Sequence, residues 1–326
     1  MERQRAELGG GRYEVQAVLG CGTSSVVYLA RHLELQRDVA IKVLRAEKVA
    51  GEEGRAQTLR EARIIASMNH PHIVTVHDVG VLVDGRPYMV MEVVQGTSLE
   101  RIVGDGFALP VERALEVFEQ VARALGHAHH HGVVHRDIKP GNILVSEHSS
   151  RRLAAKVTDF GVAARAPEQQ RGEFVGTPMY MSPEQALGEP VSAASDLYSL
   201  GVVMYRVLTG RRPFDVEVPR ELAMCHVTQS LPDLCSVARD VPPQLGAAVM
   251  RCLEKEPDDR FASADDLIAA LQAVHVHPHL GLHSTATLEP FARIESAPGW
   301  GLPVRLAAAT ASGFAVGWVL GWTAGG

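Results

Sequence analysis

Between residues 135 and 142 the chain reads His135-Arg136-Asp137-Ile138-Lys139-Pro140-Gly141-Asn142, which holds an acid, a fixed cation and an amide within six residues. A second acid follows in Asp159-Phe160-Gly161. Far upstream, Val39-Ala40-Ile41-Lys42-Val43-Leu44 is apolar except for one lysine. A lysine in a buried strand is costly unless an anion meets it. Lys42 therefore reads as a cation held for an anionic partner, against the alternative of an edge-strand lysine turned to solvent. Ahead of it, Gly20-Cys21-Gly22-Thr23-Ser24-Ser25 separates two alternating runs and reads as a turn between strands. Glycines there permit positive φ and let backbone N–H groups approach phosphate oxygens. A plain hairpin is the competing reading, and the lysine strand that follows favours the phosphate one.

In their order and spacing these motifs resemble the eukaryotic-type (Hanks-type) Ser/Thr protein kinase family, in its bacterial branch, from about residue 13 to 274. The resemblance implies an α+β fold of two lobes, a small β-rich lobe over 13–93 and a larger, mainly helical lobe over 95–274. It implies ATP and Mg²⁺, with Mn²⁺ as an alternative, and transfer of the γ-phosphoryl group to Ser or Thr hydroxyls of protein substrates. In that chemistry the protein mainly positions groups and neutralises charge. Asp137 matches the residue that orients the acceptor hydroxyl and takes its proton, and Lys139 the cation that reaches the γ-phosphate. Asn142 and Asp159 match the metal ligands, hard oxygen donors of the kind Mg²⁺ prefers. Lys42 matches the clamp on the α/β-phosphates, with Glu61 as its partner.

The same resemblance assigns the nucleotide site. Leu19, Gly20, Cys21, Gly22, Thr23, Ser24 and Ser25 form the phosphate flap, with Ser25 standing where the family has a third glycine. Val27 and Ala40 lie over the adenine and Leu144 beneath it. Met91 limits the back of the pocket, and backbone groups of Glu92 and Val94 meet the adenine edge. From Asp159 to Glu184 runs the activation segment, in which Thr177 seats the substrate hydroxyl beside Asp137 and Lys139. Arg136 would pair with a loop anion. Residues 162–176 contain no Ser, Thr or Tyr, and Glu173 stands four residues before Thr177, so its carboxylate is the expected partner. Glu184 with Arg260, and Asp196 on the catalytic-loop backbone, carry structural roles. His135, Phe160, Ile65 and Val76 are expected to pack together across the lobes. Ser98 stands near where some relatives place an acid for a basic substrate residue.

The elements that must hold these groups are legible as patterns. Tyr13–Leu29 alternates around the glycine turn, and Val74–Val83 and Tyr88–Val94 read as strands around Asp84-Gly85. A helix over about Gln57 to Ser67 carries Glu61 and Ile65 on one face and ends before Pro71. Val111 to His131 repeats apolar residues at helical spacing (Val111, Leu115, Phe118, Val121, Ala122, Leu125, Ala128), as do 195–208, 244–254 and 264–274. The histidines His70 and His72, and His127 with His131, invite a metal reading, set aside here for loop and helix-end positions. At 326 residues with 46% apolar composition the chain can fill two cores. A net charge of −6 argues against a nucleic-acid partner. Four cysteines without metal-like spacing read as reduced thiols, and the charged start lacks a secretory signal.

Residues 1–12 read as a loose leader and 275–303, rich in His, Pro, Gly, Ser and Thr, as a juxtamembrane linker in which Ser284, Thr285, Thr287 and Ser296 are accessible phosphate acceptors. Leu306 to Trp322 carries no charge, and 304–323 is expected to be a transmembrane helix that barely spans. Trp300, Trp318 and Trp322 suit the interfaces, and Arg305 places the kinase lobes on the cytoplasmic side of a single-pass membrane protein. With four residues after Trp322, no outside sensor domain is expected on this chain. Gly313, Gly317 and Gly321 form a small-residue stripe suited to a homodimer. Two other classes compete with a membrane-anchored signalling kinase. A pseudokinase or scaffold would lack Lys42, Asp137, Asn142 or Asp159, and all four are present. A small-molecule phosphotransferase would usually lack the Gly-Thr-Pro…Pro-Glu segment and Arg260.

Overall fold

The computed structural model describes residues 7–46, 51–104, 106–147, 152–160 and 178–274. Six strands form one antiparallel sheet: β1 (Glu7–Leu8), β2 (Tyr13–Cys21), β3 (Ser25–His32), β4 (Arg37–Leu44), β5 (Val76–Val81) and β6 (Pro87–Met91), in the order β1-β2-β3-β4-β6-β5. Because successive strand residues face opposite sides, β4 divides its side chains between two tasks. Val39, Ile41 and Val43 enter a core with Tyr13, Ala30, Tyr88 and Val90. Ala40 and Lys42 point the other way. Register puts Val27 and Met89 opposite Lys42, and Met91 opposite Ala40, so these five residues share the face turned away from that core. Helix α1 (Gly51–Ser67) covers β5 and β6, burying Ala62 and Ile65.

The second lobe holds β7 (Thr97–Ser98), α2 (Leu99–Val103), α3 (Val111–His130), β8 (Ile143–Glu147), β9 (Leu153–Val157), α4 (Pro183–Leu187), α5 (Ala193–Thr209), α6 (Pro219–Thr228), α7 (Leu234–Val237), α8 (Pro243–Cys252) and α9 (Ala264–Gln272). Strands β7, β8 and β9 form a small sheet in that order. The apolar stripe of α3 is buried throughout, with Phe118, Val121, Ala122, Leu125 and Ala128 at 0% exposure. Each large side chain so buried stabilises the lobe by about 2 kcal/mol. α5 is buried along nearly its whole length and forms the lobe's axis. At Gly201 a Cβ would lie 2.7 Å from Cys252 Cβ, so only glycine lets α5 and α8 approach this closely. Gly210, at φ 67°, ends α5 in the left-handed conformation.

Several boundaries differ from the sequence reading. The leader is not loose throughout, since Glu7 and Leu8 pair with Glu14 and Tyr13. Two residues are too short for a visible alternation, so only the partner strand reveals them. Helix α1 begins at Gly51 rather than near Gln57, and Glu52 and Glu53 in its first turn complement the helix dipole. The strands proposed over 74–83 and 88–94 are shorter, and Glu92 onward leaves the sheet. The histidines make a row of rings, His72–His70–His127–His131, with centroids 5.4, 5.0 and 4.5 Å apart. Among the described residues no group of three or more His, Cys, Asp or Glu could hold a metal ion. Residues 161–177 and 275–326 lie outside the described residues, and with them Glu173, Thr177, the linker, the 304–323 segment and the glycine stripe. No helix among the described residues is long and apolar enough to cross a membrane.

Candidate active site

The 135–142 loop is held from below by one buried carboxylate. Asp196, in the first turn of α5, accepts from His135 N through Oδ2 and from Arg136 N through Oδ1, both at 2.8 Å. His129 Nε2, at the end of α3, lies 2.8 Å from the same Oδ2. These bonds hold Arg136 at φ 67°, a conformation that a non-glycine residue adopts only under constraint. Gln185 Nε2 donates to Arg136 O at 2.8 Å and so ties α4 to the loop. His135 accepts from Asp137 N at Nδ1 and donates from Nε2 to Thr158 O, which fixes its tautomer. Its ring lies 4.6 Å from that of Phe160. Phe160, Ile65 and Val76 line one narrow apolar crevice between the lobes, with Met89 and Met91.

On this frame the polar groups converge. Asp137 Oδ2 accepts from Lys139 Nζ at 2.7 Å and from Asn142 Nδ2 at 3.0 Å. The Asn142 amide also donates to Asp137 O at 2.7 Å. With both amide hydrogens directed at Asp137, the carbonyl oxygen of Asn142 is the atom left to accept or to ligate. Across the cleft, Lys42 Nζ lies 2.9 Å from Asp159 Oδ1. Burial pushes the Asp159 carboxyl up, but the Lys42 ammonium, by its charge and its hydrogen bond, overrides this and holds it below the usual carboxylate range. Asp159 sits at φ 65°, a second constrained backbone at the same site.

The expected Lys42–Glu61 pair is not formed. Lys42 is engaged by Asp159, and Glu61 Oε1 accepts from Gln57 Nε2 at 2.8 Å on its own helix. A lysine whose side chain is 5% exposed has room for few partners, and the nearer carboxylate takes it. The glycine turn projects into solvent, with Leu19 at 50% exposure and Cys21 exposed. Gly22 N donates to Ser25 O at 2.8 Å, Arg45 N donates to Ser24 O, and Ser25 is buried. A Cβ at Gly20 would meet nothing within 4 Å, and neither Gly20 nor Gly22 has positive φ. Neither packing against the described residues nor a positive φ therefore demands Gly20. At the end of β6, Glu92 N donates to Thr75 O at 3.0 Å, so its backbone N–H is already engaged. Leu144, half-buried on β8, lies opposite Ser98. Val94 is half-buried just after β6.

Below the loop, Arg260 pairs bidentately with Glu184, Nη1–Oε1 at 2.8 Å and Nη2–Oε2 at 3.0 Å, and Ser195 Oγ donates to Oε1 at 2.6 Å. Burial raises the Glu184 carboxyl, but its bonds from Arg260 and Ser195 bring it below the usual range. Sequence reasoning passed over Gln185, His129 and Gln57, whose roles depend on contacts distant in sequence or on a neighbour's rotamer. For Gln185 a signal existed: Ser182-Pro183-Glu184-Gln185 is a capping box, which places that amide at the helix start.

The protein kinase domain family matches residues 13–275. The chain belongs to the protein kinase family. The serine/threonine-protein kinase PknB of Mycolicibacterium smegmatis is 42% identical over 272 residues, covering 81% of this chain and 43% of the relative. The probable serine/threonine-protein kinase SCO3848 of Streptomyces coelicolor is 41% identical, covering 81% and 40%. The chain thus spans less than half the length of these curated relatives. Among solved structures, the Mycobacterium tuberculosis PknI kinase domain superposes with a TM-score of 0.66 at 29% identity, covering 83% of this chain and 98% of that one. Rad53 in complex with AMP-PNP superposes with a TM-score of 0.68 at 25% identity, covering 81% and 66%. The kinase fold accounts for the two lobes and the cleft in which Lys42, Asp137, Asn142 and Asp159 meet.

Proposed function

We propose that the chain is a protein Ser/Thr kinase that transfers the γ-phosphoryl group of ATP to hydroxyls of protein substrates. The observation that carries this is the Asp137 carboxylate, held at once by Lys139 and Asn142 across the cleft from the Lys42–Asp159 pair. The donor set fits nucleotide and metal: Asp159 and Asn142 offer hard oxygens, Lys42 and Lys139 offer cations, and Gly20 stands open where phosphate would lie. Mg²⁺ would supply charge neutralisation at the phosphates, held by Asn142 and Asp159. Asp137 orients the acceptor hydroxyl and takes its proton. Lys139, two residues on, meets the negative charge that grows on the transferring group. Lys42 is released from Asp159 to clamp the upstream phosphates, and Glu61 is the carboxylate on α1 that would then receive it. Ala40, Val27 and Leu144 enclose the adenine, Met91 closes the back, and Glu92 O and Val94 meet its edge.

The test is transfer of labelled phosphate from ATP to protein, with the acceptor residue identified. Wild type is expected to label Ser or Thr in a metal-dependent way, and Asp137→Asn to lose the activity while binding nucleotide. Metal-independent labelling, or retention of activity by Asp137→Asn, would exclude the assignment.

On sequence alone we also propose that 304–323 anchors the kinase in a membrane, with the lobes cytoplasmic, and that Gly313, Gly317 and Gly321 pair two copies. The support is the charge-free run from Leu306 to Trp322 behind Arg305. Fractionation should place the full chain in membranes and a chain truncated after Val274 in the soluble fraction. Full-length protein soluble without detergent rules the anchor out, and an association reporter unchanged by Gly317→Ile rules out the pairing.

A further inference from the structure

Arg206 lies in the last turn of α5 with only 5% of its surface exposed, and its charge takes no part in the chemistry above. Its guanidinium is met entirely by acceptors from other elements. Nη2 lies 2.9 Å from Glu100 Oε1 and Nη1 3.1 Å from Oε2. Nη2 also donates to Gly104 O at 3.2 Å, and Nη1 to the Tyr180 hydroxyl. The guanidinium carbon stands 6.0 Å from the centre of the Tyr180 ring. A carboxylate on α2, a carbonyl at its end and a tyrosine thus form a complete seat for one guanidinium.

The seat has an inner and an outer side. Arg206 reaches it from the interior with its side chain 6% exposed, whereas the Glu100 side chain is 44% exposed and opens to solvent. Tyr180 belongs to the stretch that runs into α4, where Gln185 holds Arg136 O beside Asp137. The seat therefore flanks the place where an acceptor segment must lie. An exposed carboxylate there would attract a basic residue of a passing peptide. Here it is already paired in fork geometry, and the cation is tethered, so a substrate arginine must displace a competitor of high effective concentration. Arg212 also acts on Tyr180 and adds positive charge on that side.

We propose that Arg206 closes a substrate-arginine seat in cis, so that this kinase takes Ser and Thr acceptors in non-basic segments. Arg206 is a specificity-determining residue under this proposal, which rests on the Ser/Thr kinase activity proposed above. The test compares peptides identical except for one arginine or alanine, scanned through the positions before the acceptor, on the full chain and on Arg206→Ala and Arg206→Gln. Wild type is expected to show no arginine preference. Both variants should favour arginine peptides by about tenfold in kcat/KM, through KM, since one charge-assisted bidentate pair is worth roughly that much. The gain should vanish when Glu100→Gln is added, and millimolar ethylguanidinium should suppress it in the variants alone. The proposal is overturned if wild type already prefers arginine, or if the variants stay active on alanine peptides with an unchanged ratio. Loss of the folded state in both variants assigns Arg206 to structure alone and overturns it as well. No transfer by wild type to any peptide defeats the kinase activity itself, and this inference with it.

Discussion

Lys42 and Asp159 face each other at 2.9 Å across the cleft, a buried ammonium paired with a carboxylate. Under the proposed kinase activity Lys42 would meet phosphate and Asp159 would hold the metal, and here the two charges neutralise one another. Lys42→Met and Asp159→Asn should each lower phosphoryl transfer by about a thousandfold, because the first removes the proposed clamp on the upstream phosphates and the second the proposed metal ligand. Circular dichroism should show both folded. Near-normal transfer by Asp159→Asn would remove it from the metal site.

Asp196 gathers three donors onto one carboxylate that is itself 1% exposed. Asp196→Ala strands two backbone N–H groups and should destabilise the lobe by about 3 kcal/mol. Denaturant unfolding would measure this, and the surviving folded fraction should show reduced turnover because Arg136 no longer keeps its left-handed backbone.

Glu184 and Arg260 are the most deeply buried charge pair among the described residues. Removing one partner leaves a buried charge and should cost about 3–5 kcal/mol. Glu184→Gln with Arg260→Met should be milder than Arg260→Met alone. The Glu184 carboxyl is depressed in the fold, so its contribution is present above the unfolded-state value and lost as pH falls through the lower folded one. Unfolding free energies of the variants across the acid range would show this limb disappear.

His226 has no exposed surface, and burial followed by the charge of Lys255 brings its ring down to about 4. The folded chain therefore holds the neutral ring and the unfolded chain protonates first. Stability from this group is complete above about pH 6.5 and is lost as pH falls toward 4, on the order of 3 kcal/mol in all. His70, lowered to about 4 by burial and by His72 and His127, adds to the same limb. His226→Gln should flatten the fall in unfolding free energy between these pH values, and an unchanged slope would discount the ring.

Arg136 Nε is buried without a hydrogen-bond partner among the described residues. Glu173, four residues before Thr177, is the proposed anion for that arginine. Phosphatase-treated kinase should keep its activity, and Glu173→Ala should lose roughly tenfold. Silencing of the wild type by phosphatase would instead implicate a phosphorylated residue.

How much of this could be read from the sequence depended on how far apart the interacting groups lie in the chain. Asp137, Lys139 and Asn142 are neighbours in one loop, so their sharing of one site was legible, whereas the bonds among them were not. The partner of Lys42 was not, because Asp159 and Glu61 are both remote carboxylates and only the placement of α1 decides between them. The Glu100–Arg206–Tyr180 seat joins three segments through contacts more than 100 and 26 residues apart, with no motif to announce it. Periodicity fixed the face of α3 correctly, from Leu115 to Ala128, because ten buried positions repeat along it. It could not fix where β6 ends, since Glu92 leaves the sheet to meet Lys156, a decision made by a side chain on another strand.

That departure of Glu92 has a mechanical side. Its backbone N–H is fastened to Thr75 O, and its carboxylate accepts from Thr75 N at 2.8 Å and from Lys156 Nζ at 2.6 Å. Thr75 precedes β5 of the upper sheet, while Lys156 lies in β9 of the lower one. The residue linking the lobes is thus bolted to both, like an axle pin. Any change of angle between the lobes would have to keep or break these bonds, whereas the run from Val93 to Gly96 lies outside the strands.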